Sequence, residues 1–336
     1  MPCLRIVHLV DDTTAGGVMR VLDHLMTAPE LSRDATHRLE VVDRRAVFLK
    51  PIAADLIISH LAVNWRVLPL LLSLRALNPR ARLVHVEHSY TEAFVAANVT
   101  YTRRFALLLR TAYRVFDGVV AVSHAQGEWL KRSGAVRDFA LTVIPSCVDL
   151  SAFRAIVPGA TPVRVFGAIG RLDRQKGFDT LIQAFRMTDR SDICLYIYGE
   201  GAEEPSLRAL AGDDARIHFK GFADDPVAAM ATVDAVAMPS VWEAYGLVAI
   251  EALAAGRRLV VNPVDGLTDH VPYGALTVRN CSVSAWKHAI LDLAEVRDET
   301  DACSLCPSVR LEDKFAAHWY DLMHKSVLQR VRKVAY

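Results

Sequence analysis

Short apolar runs alternate with longer stretches of helical periodicity along almost the whole chain. Runs rich in Val, Ile and Leu fall at residues 5–10, 39–42, 56–59, 83–87, 118–123 and 141–145, most of them separated by helix-length segments. A continuous apolar run is the pattern of a strand buried on both faces, so this order predicts a mostly parallel sheet covered by helices on both sides. The pattern breaks at VPGATP, residues 157–162, where two prolines and a glycine read as a linker. It resumes with runs at 163–169, 194–198, 217–220, 235–238 and 259–262. The expected fold class is α/β, two Rossmann-like doubly wound domains in tandem. The sequence contains neither an internal repeat nor a low-complexity segment.

Length agrees with this reading, because 336 residues exceed one ordinary core and suit two domains of roughly 150 residues. Hydrophobic residues make up 52% of the chain and charged residues 23%, the balance of a folded protein rather than a disordered one. A formal net charge of +1 names no partner and gives no footing for nucleic acid. Residues 1–155 hold 19 basic and 14 acidic side chains against 20 and 24 in the rest, which leaves the first half mildly basic. The N-terminus runs straight into LRIVHLV without the features of a signal peptide, and no run of 18 apolar residues follows. With six scattered cysteines, a reduced cytoplasmic location is expected. Cys303 and Cys306 form one CxxC, but the second pair of a zinc ribbon and the strand–helix setting of a redox site are missing, so the pair reads as incidental.

Ligands of open α/β sheets bind beyond the carboxyl ends of the strands, so the residues that follow each run carry the chemistry. In DDTTAGGVMRVLDHL, residues 11–25, Gly16 and Gly17 open a helix whose free N–H groups suit an anion; a plain tight turn would account for the pair as well. In GAIGRLDRQKGFDTLIQAF, residues 167–185, the planar fork of Arg171 and the mobile charge of Lys176 match two linked phosphates, against a solvated basic loop as the plainer alternative. The third place is SVWEAYGLVAIEALAAG, residues 240–256, where Gly246 starts a helix and the amides of Gly246, Leu247 and Val248 lack intrahelical acceptors. Glu243 precedes that helix and Glu251 lies more than one turn inside it, so the two carboxylates reach different parts of one ligand.

These stretches resemble the retaining glycosyltransferases of family 4, which have the GT-B fold. VWEAYGLVAIEALAAG looks like their EX7E signature and GRLDRQKG like their diphosphate-binding loop. AGG after the first strand, VEHSY at 86–90, VAVSH at 120–124, VIPSCVD at 143–149, YGEG at 198–201 and FKGF at 219–222 stand in the family's order. The resemblance implies an acceptor-binding domain over 1–157, a nucleotide-sugar domain over 158–315, a central cleft between them, and a C-terminal helix over 316–336 that packs back on the first domain.

The resemblance also implies roles. Arg171 and Lys176 neutralise the diphosphate of a nucleotide-sugar donor, a UDP-sugar ahead of a GDP- or ADP-sugar, and no metal or other cofactor is then needed. Glu251 holds ribose hydroxyls and Glu243 the hydroxyls of the transferred sugar, while Gly246, Leu247 and Val248 hold phosphates or sugar. Gly17 approaches the diphosphate, His88 contacts the donor sugar or its phosphate, and Phe222 lies in the segment that cradles the base. Retention is explained in this family by front-face displacement, in which the leaving phosphate helps deprotonate the acceptor; such chemistry requires positioned charge rather than a protein nucleophile.

Some positions depart from the family pattern. EAYG replaces the usual EGFG, which brings the sugar identity into question at Ala244 and Tyr245, and VIPSCVD replaces the usual PNGVD. Eight arginines between Arg66 and Arg114 are interleaved with apolar helical stretches, a pattern of either a buried helix with snorkelling arginines or a surface for an anionic membrane. A glycan or lipid-linked glycan acceptor, used in surface polysaccharide assembly at the inner face of the cytoplasmic membrane, is the expectation that fits the second. A nucleotide-sugar epimerase, a phosphorylase-like enzyme and an inactive nucleotide-sugar-binding subunit are the alternatives on the same fold.

Overall fold

The computed structural model describes residues 3–14, 16–296 and 310–334, with side chains described as far as His324. Cys303 and Cys306 lie outside the described residues. The chain divides into two compact units, Met1–Val148 with Leu311–Tyr336, and Asp149–Arg310. The division thus falls before VPGATP, and that stretch is tied into the second unit: the Ala160 amide donates to Asp234 Oδ1 at 3.0 Å, and Arg257 donates to the Val157 carbonyl at 2.7 Å. A Cβ on Gly159 would lie 2.6 Å from the Asp234 carbonyl oxygen, so only glycine lets the two backbones approach there.

In the first unit the strands are β1 (Leu4–Val10), β2 (Ala35–Val41), β3 (Leu56–Ser59), β4 (Arg82–Glu87), β5 (Gly118–Ala121) and β6 (Leu141–Val143). They form one parallel sheet in the order β2-β1-β3-β4-β5-β6. Val7, Leu9, Ile57, Leu83, Val119 and Ala121 share one core with Leu70, Leu71 and Leu74 of the helix Leu68–Leu77 and with Leu108, Leu109 and Ala112 of the helix Thr102–Tyr113. Crossovers between parallel strands are right-handed, so the helix Gly17–Thr27, which leads from β1 back to β2, covers the other face. The long helix Leu311–Val334 is part of this unit, with the Phe315 ring 5.4 Å from that of His24. No described helix is long and apolar enough to cross a membrane.

The second unit contains β7 (Val165–Ile169), β8 (Cys194–Tyr198), β9 (Ile217–Gly221), β10 (Ala235–Met238), β11 (Arg258–Val261) and β12 (Leu276–Thr277), parallel in the order β12-β11-β10-β7-β8-β9. Phe166, Ala168, Leu195 and Ile197 pack with Leu181, Ile182 and Phe185 of the helix Phe178–Arg186 and with Trp286 and Ile290 of the helix Val283–Glu295. Each sheet has one place where successive crossovers leave in opposite directions, between β1 and β3 in the first and between β7 and β10 in the second. These switch points are where open α/β sheets bind ligands.

Candidate functional site

The segments that follow β7 and β10 meet at the switch point of the second sheet. Gly177 takes a left-handed backbone, with φ 63°, and a Cβ there would lie 2.3 Å from the Pro239 carbonyl oxygen, so glycine lets the two segments touch. Gln175 then binds across the join: its carbonyl accepts from the Val241 amide at 2.8 Å and its side-chain amide donates to the Trp242 carbonyl at 3.1 Å. Asn262, just past β11, donates to the carbonyls of Pro239 and Ser240 and accepts from the Trp286 indole at 2.9 Å. The loop before Gly246 is therefore held by backbone and buried side chains rather than left free.

This frame sets Lys176 and Glu243 together. Lys176 Nζ lies 2.5 Å from Glu243 Oε2, with side chains only 15% and 11% exposed, and Ser240 donates to the same oxygen at 3.4 Å. The Glu243 amide donates to Asp265 Oδ2 and the Glu243 carbonyl accepts from Gly266, so the residue is fixed at both backbone ends. Arg171 is placed differently: its side chain is 74% exposed and engages Asp173 at 3.2 Å and Gln175 at 3.3 Å rather than the Lys176–Glu243 pair. Gly246 caps the helix Leu247–Ala254 with a left-handed φ of 86° and no side-chain cap, which leaves the first-turn amides of Leu247 and Val248 to an outside acceptor. Glu251, the fifth residue of that helix, is buried rather than an ordinary surface carboxylate.

Ala244 and Tyr245 are also buried. The Tyr245 carbonyl accepts from His270 Nε2 at 2.7 Å, and its ring meets the His270 ring edge-on at 4.7 Å. Burial keeps His270 below its ordinary pKa, against the pull of the Tyr245 carbonyl, so the imidazole is a neutral donor. Phe222, just beyond β9, is 56% exposed.

In the first unit Gly17 is the first residue of the helix Gly17–Thr27, exposed beside a Gly16 whose backbone is extended. A Cβ on Gly16 would meet nothing nearer than 3.7 Å, so the turn itself does not demand a glycine at that position. His88 follows β4 and is half-buried, its Nε2 2.9 Å from His60 Nδ1. Burial brings its pKa down to about 4, opposed by the neighbouring Glu87. The Glu87 carboxylate fixes the turn after β4 by accepting from the amides of Ser89 and Tyr90 and from the Tyr113 hydroxyl at 2.6 Å. Burial works against its charge, yet the hydrogen bonds from His85, Tyr113 and the Tyr90 amide hold its carboxyl below the usual range. Among the described residues no group of three or more His, Cys, Asp or Glu side chains is arranged to hold a metal ion.

Two family models match the chain, "Glycosyltransferase Family 4" over residues 16–152 and "Glycosyl transferases group 1" over residues 163–295. The chain belongs to glycosyltransferase family 4. It is 34% identical over 147 residues to the glycogen synthase of Mycobacterium tuberculosis, covering 40% of this chain and 34% of that one. It is also 34% identical over 152 residues to the D-inositol 3-phosphate glycosyltransferase of Corynebacterium urealyticum, covering 40% and 36%. The chain thus aligns with about a third of the length of these relatives. Solved structures agree over nearly the full length: Anabaena HepE in complex with UDP and glucose has a TM-score of 0.70 at 17% identity, covering 99% of both chains. The sucrose-phosphate synthase of Thermosynechococcus elongatus has a TM-score of 0.73 at 18% identity, covering 98% and 99%. The family 4 chain therefore has the GT-B fold of two Rossmann-like domains.

Sequence reasoning passed over several residues of this site. Gln175, Ser240, Asn262 and His270 act through backbone carbonyls or through Glu243, contacts that no motif spacing reveals. His8, His37 and His60 had a readable signal, since each stands in or just after one of the first three strands, as His88 does after the fourth.

Proposed function

We propose that this protein is a metal-independent, retaining glycosyltransferase that moves a sugar from a nucleotide-diphospho-sugar to an acceptor hydroxyl. The observation that carries the reading is the convergence of Lys176, Glu243, the open helix tip at Gly246 to Val248, and the buried Glu251 at the β7/β10 switch point. A diphosphate on the helix tip meets N–H groups and Lys176, and Arg171 is exposed enough to swing onto it. Charge compensation of this kind stabilises the departing nucleoside diphosphate without a metal ion. Glu251 takes the ribose, Glu243 the hydroxyls of the moving sugar, and Phe222 the base. In the unliganded protein Glu243 shields Lys176, and the arriving diphosphate competes for that ammonium, which releases Glu243 to accept from the sugar.

In the first unit, Gly17 gives a diphosphate room at the start of a helix, and His88 meets the sugar. A UDP-sugar is the favoured donor, in keeping with the complexes of HepE with UDP and with UDP-glucose. The acceptor is a glycan or lipid-linked glycan of surface polysaccharide assembly. The helix Thr102–Tyr113 supports attachment to an anionic membrane at the cytoplasmic face, since Arg103, Arg104 and Leu107 are exposed on it beside Tyr101.

The test is a thermal-shift panel of UDP-, GDP- and ADP-sugars, followed by donor hydrolysis with and without a chelator. Stabilisation by a UDP-sugar and chelator-resistant release of UDP are expected. A panel with no stabilising nucleotide would sink the reading, and a new sugar nucleotide formed without acceptor would replace it by an epimerase. Sedimentation with anionic vesicles at low salt checks the membrane surface; failure to bind removes it.

A further inference from the structure

Four histidines form a continuous hydrogen-bonded row across the first sheet. Strand pairing sets Ile6 beside His37 and His8 beside Ile58, and Ile58 beside Val84. Because side chains alternate along a strand, His8, His37, His60 and His88 all fall on the same face, opposite Val7 and Leu9. His88 Nε2 meets His60 Nδ1 at 2.9 Å, His60 Nε2 meets His8 Nδ1 at 3.1 Å, and His8 Nε2 meets His37 Nδ1 at 3.0 Å. The row ends where His37 Nε2 meets the Leu31 carbonyl oxygen at 3.3 Å. Leu31 lies in the last turn of the helix Pro29–Ser32, where carbonyls lack an intrahelical donor.

Burial depresses the whole row: His8 is brought down to about 3 by burial and then by His37, His88 to about 4, His37 below its ordinary value and His60 well below it. Each ring is therefore neutral at neutral pH, with one N–H and one lone pair. A carbonyl oxygen only accepts, so the proton of His37 sits on Nε2 and its Nδ1 accepts. His8 must then donate through Nε2 and accept at Nδ1, and the same step repeats at His60 and at His88. All four rings are Nε2–H tautomers, and the reverse order would set the His37 lone pair against that of the Leu31 oxygen. At the open end, His88 Nδ1 receives no hydrogen bond from the protein among the described residues.

We propose that His37, His8 and His60 are positioning residues that, anchored on the Leu31 carbonyl, lock His88 as its Nε2–H tautomer with Nδ1 as an acceptor. The ligand group that suits this nitrogen is a hydroxyl of the donor sugar, which donates a proton, and not a phosphate oxygen, which cannot. That second part rests on the glycosyltransferase reading; the tautomer lock does not.

Nitrogen-15 NMR of histidine-labelled, ligand-free full chain at neutral pH separates an N–H nitrogen from a lone-pair nitrogen. His88 is expected as the pure Nε2–H form in the wild type and as a mixture of both forms in His37→Ala, three rings away. His37→Asn, whose Oδ1 can replace Nδ1 as the acceptor, should restore the single form. A wild-type His88 that carries its proton on Nδ1, or a His37→Ala spectrum with a single unchanged tautomer, overturns the lock; if His37→Ala does not fold, the wild-type spectrum and His37→Asn decide alone. For the hydroxyl, His37→Ala should leave UDP affinity unchanged and weaken UDP-glucose in proportion to the His88 no longer held as the Nε2–H form, about twofold for an equal mixture, with recovery in His37→Asn. Equal weakening of both ligands removes the sugar-hydroxyl role. If the wild type binds no nucleotide at all, the glycosyltransferase reading fails while the tautomer result stands by itself.

Discussion

At the switch point of the first sheet the polar groups are uncharged rings that hydrogen-bond edge to edge; at that of the second they are a lysine and a glutamate 2.5 Å apart. Both sheets are parallel and six-stranded, so topology alone does not account for the contrast. Burial is severe for His8, which the fold meets by keeping the row neutral, since a buried unpaired charge costs far more than a satisfied neutral donor. Lys176 and Glu243 instead keep some exposure and meet as an ion pair. Under the two proposals above, one switch point is a template with fixed donor and acceptor positions and the other a charge reserve that a polyanion can draw on.

The largest expected effect on this contrast comes from Lys176→Ala or Glu251→Ala. Each should weaken donor binding by about 10- to 100-fold in calorimetry, the loss of a charge-assisted contact of about 1.5 to 3 kcal/mol. Unchanged affinity in both variants would remove the site assignment. Glu243→Gln should separate the two sides of the ion pair: UDP binds more tightly once Lys176 no longer shares its charge, while turnover falls because the sugar loses its acceptor. If UDP binding weakens instead, Glu243 does not shield Lys176.

The histidine row predicts an acid limit. His8 and His88 are held at about 3 and about 4 in the folded protein, below the 6.5 of an unfolded chain, so the unfolded state takes up protons first as pH falls. Their contribution to stability is complete above about pH 6.5 and is lost progressively down to the folded values, at up to about 1.4 kcal/mol per pH unit for each ring. The melting temperature should drop steadily between pH 6.5 and 4; a flat profile would show that the rings are not kept neutral. Phe222→Ala is the smallest change, a few-fold loss of nucleotide affinity without loss of stability, because the ring is exposed.

Periodicity was a good guide to the fold because most strands are buried on both faces and read as unbroken apolar runs. It missed β12, which is two exposed residues long, and began β2 at residue 39 rather than at Ala35, since ATHRLEV is a half-polar edge strand. The compact units divide before VPGATP, where Pro and Gly do mark irregular backbone but Asp234 and Arg257 bind that backbone within the second unit. Glu243, Lys176 and Gly246 could be read as a group because short-range motifs carry them. Each histidine could be placed at a strand, but the row they form was hidden by distance, its members being 20 to 30 residues apart and joined only by strand order and side-chain parity.

Loops that bear binding residues are usually the parts of a fold that open most easily. The loop from Pro239 to Gly246 has bonds to Gln175, Asn262, Asp265 and Gly266, and through Asn262 to the buried Trp286. Its amide protons at Val241 and Glu243 should therefore exchange with solvent deuterium as slowly as those of the neighbouring strands. A loop tied in this way is expected to open together with the second core, so that under the proposed function it would offer each arriving donor the same geometry.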